Sequence, residues 1–206
     1  MQSYLVDPCG TASLPYWKQR TIVVPEQVKI VHDRDYDPSM FSDYDDEPYF
    51  KLSHDLKVVG AHIAPGVQTI SAPGAINEFV QLINASYDDL SVTAEQLADC
   101  QQTPVFRRDL WILMKEKKSG EVLAGGIADY DREARELSLE WIQVLPAYRR
   151  HGYGQLIVNH LLATMRGEAR FATVSGKVNN PCCPESLYRK CGFSGDDVWH
   201  ILTKRQ

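Results

Sequence analysis

Two glycines separated by one residue stand where a strand pattern gives way to a helix pattern. The stretch Leu145–Met165 reads LPAYRRHGYGQLIVNHLLATM. Glu136–Val144 before it alternates and then becomes apolar, which predicts a largely buried strand, and Gln155–Met165 has apolar residues at helical spacing. Gly152 and Gly154 therefore fall in a strand-to-helix turn. Such a turn exposes backbone N–H groups at a helix N-terminus, where anions bind.

The glycines also indicate which anions this turn does not bind. The chain contains no G-x-x-x-x-G-K-[ST] sequence, and Gly152-Tyr153-Gly154 lacks the third glycine of G-x-G-x-x-G. We therefore do not expect the phosphates of ATP or NAD in this turn. Because glycine has no Cβ, another anion can approach the backbone closely at Gly152 and Gly154.

The turn resembles motif A of the GNAT acyltransferases, the acetyl-CoA-dependent N-acetyltransferase superfamily. Arg149–Gly154 fits the pattern [QR]-x-x-G-x-[GA], and a strand ending in V-x-P-x-Y-R leads into it. Val178–Phe193, VNNPCCPESLYRKCGF, is similar to the superfamily's closing signature, in which an asparagine precedes L-Y-x-x-x-G-F. The resemblance covers about residues 72–204 and depends on two separated motifs in the expected order.

The resemblance implies that acetyl-CoA binds at this turn as acyl donor. Its pyrophosphate would lie on the backbone N–H groups, where the helix dipole contributes roughly 0.3–1 kcal/mol per charge. The strand backbone would pair with the pantetheine arm, and the two arginine side chains either add charge-assisted contacts or face solvent. The asparagine of the closing signature would contact the pantetheine arm or an ordered water. The alternative is that it caps its own loop. The implied cofactor-binding residues are Ile142, Val144, Arg149, Arg150, His151, Gly152, Tyr153, Gly154, Gln155 and Asn180.

The resemblance further implies direct transfer of an acetyl group to a primary amine of a small molecule or peptide. The amine must lose a proton before it attacks, and a carboxylate is a natural base. Glu140 is the candidate, with a structural ion pair as the alternative. An ungapped match places Ser138 where some members carry the base glutamate, so a bound water or no strong base is left open. Strand periodicity puts Glu136 on the same side as both, and we expect it to be exposed at the strand end.

Tyr188 occupies the position of the family's general-acid tyrosine. A phenol with a pKa near ~10 is protonated at neutral pH and can donate to a departing thiolate. The alternative is a core aromatic residue close to Leu187 and Phe193. We predict Tyr188 and Glu140 as the catalytic residues.

No pattern predicts a metal site. Cys182 and Cys183 are adjacent, which suits metal binding poorly, and no C-x-x-C pair accompanies them. A covalent acyl-cysteine is not required, because direct transfer suffices. The scattered histidines, which include His32, His54, His62 and His160, have no ligand spacing.

The elements from Ala72 onward predict an α/β fold with a mixed sheet, a GNAT-like acyltransferase fold with an N-terminal extension. Thr93 is suited to cap a helix, Ser119-Gly120 to turn a hairpin, and Gly125-Gly126 to form a bulge or a close approach. The predicted order is two helices, three strands joined by hairpins, then helix, strand, helix and strand. These are Ala72–Tyr87, Ser91–Cys100, Asp109–Lys117, Glu121–Asp131, Arg135–Val144, Gln155–Met165, Arg170–Val178, Pro184–Phe193 and Val198–Lys204.

Composition divides the chain into two parts, an extension of unknown role at residues 1–70 and the acyltransferase domain at residues 71–206. His32–Phe50 in the extension is dense in Asp and aromatic residues, with two prolines. We interpret it as a solvated loop, with a substrate-shaping lid as the alternative. Short strands are expected next to it.

Bulk properties narrow the function classes. The 22 Lys and Arg against 27 Asp and Glu give a net charge of −5, which argues against nucleic-acid binding. Five cysteines, no signal-peptide pattern and no apolar run of ~18 residues predict a cytoplasmic protein without a membrane partner. A homodimer is left open. The alternative function is a non-catalytic acyl-CoA-binding sensor or regulatory module.

Overall fold

The computed structural model describes residues 1–60, 65–87 and 90–205, which form two compact units. One unit is residues 55–172, and the other combines residues 1–54 with residues 173–206. The first 54 residues thus fold with the C-terminal strands, whereas the sequence predicted an extension that ends at residue 70. Local composition does not reveal such long-range pairing.

Six α-helices and eight strands lie within the described residues. The helices are α1 Gln2–Val6, α2 Tyr16–Thr21, α3 Ile76–Asn84, α4 Ala94–Cys100, α5 Tyr153–Met165 and α6 Pro184–Lys190. The strands are β1 Val28–His32, β2 Tyr44–His54, β3 Val67–Ser71, β4 Trp111–Glu116, β5 Val122–Asp131, β6 Glu136–Val144, β7 Phe171–Lys177 and β8 Ser194–Lys204. Each helix and strand predicted after Ala72 is present, with small differences at the ends.

In the unit of residues 55–172 the strands lie in the order β6-β5-β4-β3, and each pair is antiparallel. A Cβ on Gly125 would lie 2.6 Å from Leu82 of α3, and a Cβ on Gly126 would lie 2.6 Å from Ile157 of α5. Since neighbouring strand residues point to opposite faces, the two glycines let a helix approach each face of β5. The predicted close approach at Gly125-Gly126 is therefore confirmed.

The bulge lies on the neighbouring strand. The pairing of β5 with β6 shifts so that Ile127 faces Trp141 while Ala128 faces Leu139. Glu140 is the extra residue, with no direct partner on β5. Bulges increase local twist and re-aim side chains. The strand that leads into the glycine turn is thus irregular at the predicted base.

The α3 face of this sheet carries an apolar cluster. Trp111 of β4 is fully buried, and its ring makes edge contacts with Phe79 at 5.4 Å and Phe106 at 5.8 Å. Thr93 caps α4 as predicted, in a reciprocal capping box with Gln96. The buried cluster consists of Phe79, Leu82, Ile83, Leu97, Trp111, Leu113 and Ile127.

In the other unit the strands lie in the order β1-β8-β2-β7. The interpretation of His32–Phe50 as a loop is wrong for Tyr44–Phe50, which belongs to β2 and pairs with β8. Asp45 and Glu47 are exposed, whereas Phe50 and Leu52 are buried. The acidic residues are compatible with a strand because their side chains face solvent while the backbone groups pair. The strand expected next to this segment is present as β1.

A buried lysine joins β2 to the first fifteen residues. Lys51 is 1% exposed, and its Nζ donates to the carbonyl oxygens of Pro8 at 2.8 Å, Ala12 at 2.7 Å and Leu14 at 3.1 Å. The ammonium also lies 5.0 Å from the centre of the Tyr4 ring. Ion–dipole bonds to the carbonyls offset the desolvation of the charge.

We expect Lys51→Met to lower the free energy of unfolding by about 3–5 kcal/mol, because three carbonyls lose a buried charged donor. The measurement is urea unfolding followed by circular dichroism. Lys190→Met is the control, since Lys190 is exposed at the end of α6 in the same unit. We expect this control to change stability by less than about 0.5 kcal/mol. Equal stabilities of the two variants would contradict the role of Lys51.

Candidate functional site

The glycine turn connects β6 to α5 through two left-handed backbone positions. After β6 the chain makes a short 3-10 turn at Pro146–Tyr148, then reaches Arg150 at φ 67° and Gly152 at φ 83°. Gly152 is the N-cap of α5. Left-handed residues near a helix start turn successive N–H groups toward one side and form a concave anion site. We call residues 150–155 the amide turn.

The amide turn has unused hydrogen-bond donors. Among the residues that the structure describes, the first backbone bond into α5 runs from Leu156 N–H to the Gly152 carbonyl at 3.1 Å, and none of the N–H groups of residues 150–155 donates to a protein acceptor. No side chain caps the helix. A Cβ on Gly152 would meet nothing within 4 Å, so the space in front of the turn is open.

Two of the predicted cofactor-binding side chains hold the turn in shape. The Arg149 guanidinium donates to the Ser86 carbonyl at 3.1 Å and to the Val144 carbonyl at 3.4 Å. The Nδ1 of His151 lies 2.8 Å from the Arg149 carbonyl oxygen, so this nitrogen carries the proton and donates. Arg150, in contrast, is exposed. The backbone of the turn and Arg150 are thus the groups best placed to meet an anion.

A tyrosine outside the predicted set fixes the start of the turn. The Tyr148 hydroxyl donates to Glu121 at 2.6 Å, and this bond to a carboxylate raises the pKa of Tyr148. Glu121 immediately precedes β5. The side chains of Arg149 and Tyr148 therefore tie the turn to neighbouring segments, whereas spacing alone suggested only the glycines.

The predicted residues on β6 differ in what they present. Ile142 and Val144 lie opposite Gly126 and Ala124, on the face that packs against α5. Their side chains are half-buried on that face, and their backbone groups could take part in binding, as the family resemblance implied. Glu140 is half-buried at the bulge. Tyr153, Gly154 and Gln155 form the first turn of α5.

The expected exposure of Glu136 is wrong. Glu136 is 1% exposed, and it lies opposite Asp131, while Ser138 lies opposite Asp129. The predicted shared face of Glu136 and Ser138 is confirmed by this register. Glu136 is thus enclosed beside another buried residue of the hairpin instead of facing solvent. The alternating acids of Ile127–Asp131, IADYD, were the signal that sequence reasoning missed.

Asn180 and Tyr188 belong to the unit of residues 1–54 and 173–206, whereas the amide turn belongs to the other unit. Tyr188 is 7% exposed, and its ring centre lies 6.2 Å from that of Phe50 and 5.9 Å from that of Phe193. The Asn180 Oδ1 accepts the Cys182 N–H at 2.8 Å, so Asn180 caps its loop. The catalytic and binding roles of these two residues remain predictions.

The cysteines fall into two groups. Cys100, Cys182 and Cys183 are exposed, whereas Cys9 and Cys191 are buried. Burial raises the pKa of Cys9 to about 11 and that of Cys191 to about 12. Within the described residues no group of three or more His, Cys, Asp or Glu side chains is arranged to hold a metal ion. His62 lies outside the described residues.

Residues 107–195 match the family model of the acetyltransferase (GNAT) domain. No curated protein sequence matches the chain. No helix of the described residues has the length and apolar character that crossing a membrane requires.

Solved structures resemble the chain over most of its length. A GCN5-related N-acetyltransferase from Sphaerobacter thermophilus has a TM-score of 0.69 at 16% identity, covering 91% of this chain and 63% of that protein. A GNAT-family acetyltransferase from Colwellia psychrerythraea has a TM-score of 0.61 at 13% identity, covering 91% and 69%. The ribosomal-protein-S18-alanine N-acetyltransferase from Escherichia coli has a TM-score of 0.51 at 16% identity, covering 67% and 92%. The chain thus spans less than two thirds of the Sphaerobacter protein, and these similarities confirm the predicted fold class.

We expect a thiol reagent near pH 8 to modify three cysteines of the folded protein quickly and the other two only after unfolding. The thiolate is the reactive species, and burial keeps Cys9 and Cys191 protonated at that pH. Mass spectrometry of the labelled native and urea-unfolded chains identifies the sites. Rapid labelling of all five in the native state would contradict the burial of Cys9 and Cys191.

Proposed function

Since residues 107–195 match the family model of the acetyltransferase (GNAT) domain, we propose that this protein is an enzyme that moves an acetyl group from acetyl-CoA to a primary amine of a small molecule or peptide. The observation that supports this proposal most directly is the amide turn, in which six N–H groups at the start of α5 have no protein acceptor among the described residues. A diphosphate is the ligand that such a row of donors suits.

The amide turn fits the pyrophosphate of coenzyme A. Gly152 adopts φ 83°, and the space in front of it would admit a phosphate oxygen. The start of α5 adds the positive end of the helix dipole. Arg150 is exposed and supplies a positive charge beside the turn. The backbone of Ile142 and Val144 would hold the pantetheine arm, while their side chains stay packed against α5.

In this proposal Glu140 accepts the proton of the acceptor amine. As the extra residue of the bulge, Glu140 has a half-buried carboxylate at the point where β6 departs from regular pairing. A partly shielded carboxylate close to the acyl group can act directly or through one water molecule. Amine deprotonation then lets the nitrogen attack the thioester carbonyl.

Tyr188 is proposed to donate its hydroxyl proton to the departing thiolate. Phe50 and Phe193 flank the ring, and this packing limits its rotamers. A fixed phenol held at one position is a better proton donor than a mobile one, because less ordering is required in the transition state. The same ring packing is compatible with a structural role, and Tyr188→Phe, which keeps the ring and removes the hydroxyl, separates the two roles.

The binding part of the proposal is tested with Gly152→Ala. An alanine at φ 83° is strained and places a methyl group in front of the amide turn, so we expect the Kd for acetyl-CoA to rise at least about ten-fold. Isothermal titration calorimetry measures the Kd of each variant. Gly120→Ala is the matched control, because Gly120 has φ 74° in equally open space at a hairpin. Unchanged binding in Gly152→Ala, or equal weakening in both variants, would contradict the proposal.

The catalytic part is tested by CoA release across polyamines, amino acids, aminoglycosides and peptides. We expect amine-dependent release, and we expect Tyr188→Phe to lower kcat about 10²-fold or more at an unchanged Kd for acetyl-CoA, because a phenyl ring keeps the packing without the proton. The thiol signal is corrected for the exposed cysteines. Tight CoA binding without turnover on any amine would instead favour a non-catalytic acyl-CoA-binding protein.

A further inference from the structure

Four polar side chains share one buried face of the β5–β6 hairpin. Asp131 lies opposite Glu136 and Asp129 lies opposite Ser138, so all four lie on the same side of the sheet. Each is at most 7% exposed. We call these four residues, Asp129, Asp131, Glu136 and Ser138, the acidic ladder.

Two atoms of the acidic ladder are buried without a hydrogen-bond partner. They are the Oγ of Ser138 and the Oδ2 of Asp131. The other carboxylate oxygen of Asp131, Oδ1, accepts the backbone N–H of Glu133 at 2.8 Å and that of Ala134 at 3.3 Å, which holds the side chain in place. A buried polar atom without a partner destabilises a protein by roughly 1–3 kcal/mol. A partner from outside the chain, either an ordered water or a bound ligand, would satisfy such atoms.

The unused atoms define the chemistry of that partner. A carboxylate oxygen accepts hydrogen bonds, and a serine hydroxyl accepts and donates. An alkylammonium group has three N–H donors and a positive charge that complements the carboxylates. Burial strengthens this attraction, because water does not screen it. A metal ion is a poorer match, since the described residues include no metal-ligating cluster.

The acidic ladder shares strand β6 with Glu140, and the same strand leads into the amide turn. Glu140 follows Ser138 by two residues on β6, and the amide turn follows the other end of the same strand. An acyl donor that extends from the amide turn along β6 therefore brings its thioester toward Glu140 from one end. The acidic ladder lies beyond Glu140 at the other end, where the acceptor would approach.

We propose that the acidic ladder receives the protonated amine of the acceptor, an inference that rests on the proposed acetyl transfer. The ammonium donates to Ser138 and Asp131 and loses one proton to Glu140. The neutral nitrogen then forms the N–C bond while the C–S bond breaks, and Tyr188 protonates the leaving thiolate. The attached nitrogen releases its second proton to solvent, from which the Tyr188 phenolate regains a proton, so the product is a neutral amide and one proton remains on Glu140. The acidic ladder binds the cation and selects alkylamines over amines that are neutral at physiological pH. Entry requires a local displacement of the side chains that shield the hairpin.

Cyclohexylamine and aniline are a matched pair of probes, because they have similar size but only cyclohexylamine is protonated at neutral pH. We expect the protein, saturated with CoA, to bind cyclohexylammonium at least about ten-fold more tightly than aniline, since the ion makes charge-assisted bonds. Calorimetry or ligand-observed NMR measures both affinities. Equal affinities, or binding of neither amine, would overturn the inference.

Two substitutions locate the site. Asp131→Asn keeps an oxygen for the two backbone N–H groups but replaces Oδ2 with a donor, and Ser138→Ala removes the hydroxyl. We expect each to weaken cyclohexylammonium binding about ten-fold while the Kd for CoA stays unchanged. Glu133→Gln is the control, since it removes an exposed carboxylate of the same hairpin. Affinities that match the control would show that the ladder is structural only.

CoA binding and amine binding separate the acetyltransferase activity from the role of the acidic ladder. Loss of CoA binding in the unmodified protein would count against the acetyltransferase, whatever the amine data show. The acidic ladder alone would lose its proposed role if CoA binding and amine turnover were normal and the KM for alkylamines were unchanged in Asp131→Asn and Ser138→Ala. Circular dichroism of each variant confirms that it is folded.

Discussion

A helix cannot satisfy its own first N–H groups, and the start of α5 depends on this constraint. Proteins usually satisfy these groups with a capping side chain, as Thr93 does for α4. At α5 a glycine with φ 83° takes the N-cap position, and no side chain caps the helix. The donors of residues 150–155 stay directed outward because Arg149 and Tyr148 hold the preceding turn through their own bonds. Because those N–H groups have no acceptor within the described residues, they are available to bind an anion.

The surrounding sheet keeps α5 where the turn needs it. Gly126 lets α5 approach β5 closely, and Gly125 does the same for α3 on the other face. Larger residues at either position would push a helix away from the sheet, which interior packing resists. The bulge at Glu140 adds an irregular step in the strand that leads to the turn. Closely packed helices thus lie next to a strand with a bulge. This combination is common in scaffolds that position reactive groups.

Local patterns predicted most of this arrangement, and long-range contacts account for what they missed. The helix α5, the Thr93 cap and the strand order of the hairpins follow from spacing and turn chemistry, which act over a few residues. The exposure of Glu136 was predicted wrongly because a strand end is exposed only if nothing packs over it. The same limit applies to Tyr44–Phe50, whose strand depends on pairing with β8. No spacing rule identifies Lys51 as buried, since its partners are carbonyls 37 to 43 residues away.

The place of β2 between β8 and β7 has a consequence for how the protein forms during synthesis. The ribosome completes β2 well before either neighbouring strand, so the two edges of β2 stay unpaired while more than a hundred further residues are added. Exposed strand edges promote association between chains. The acidic side chains of Asp45, Asp46 and Glu47 give this waiting edge a negative charge. Electrostatic repulsion between nascent chains would then oppose their association at β2 until β7 and β8 are synthesised and pair with it.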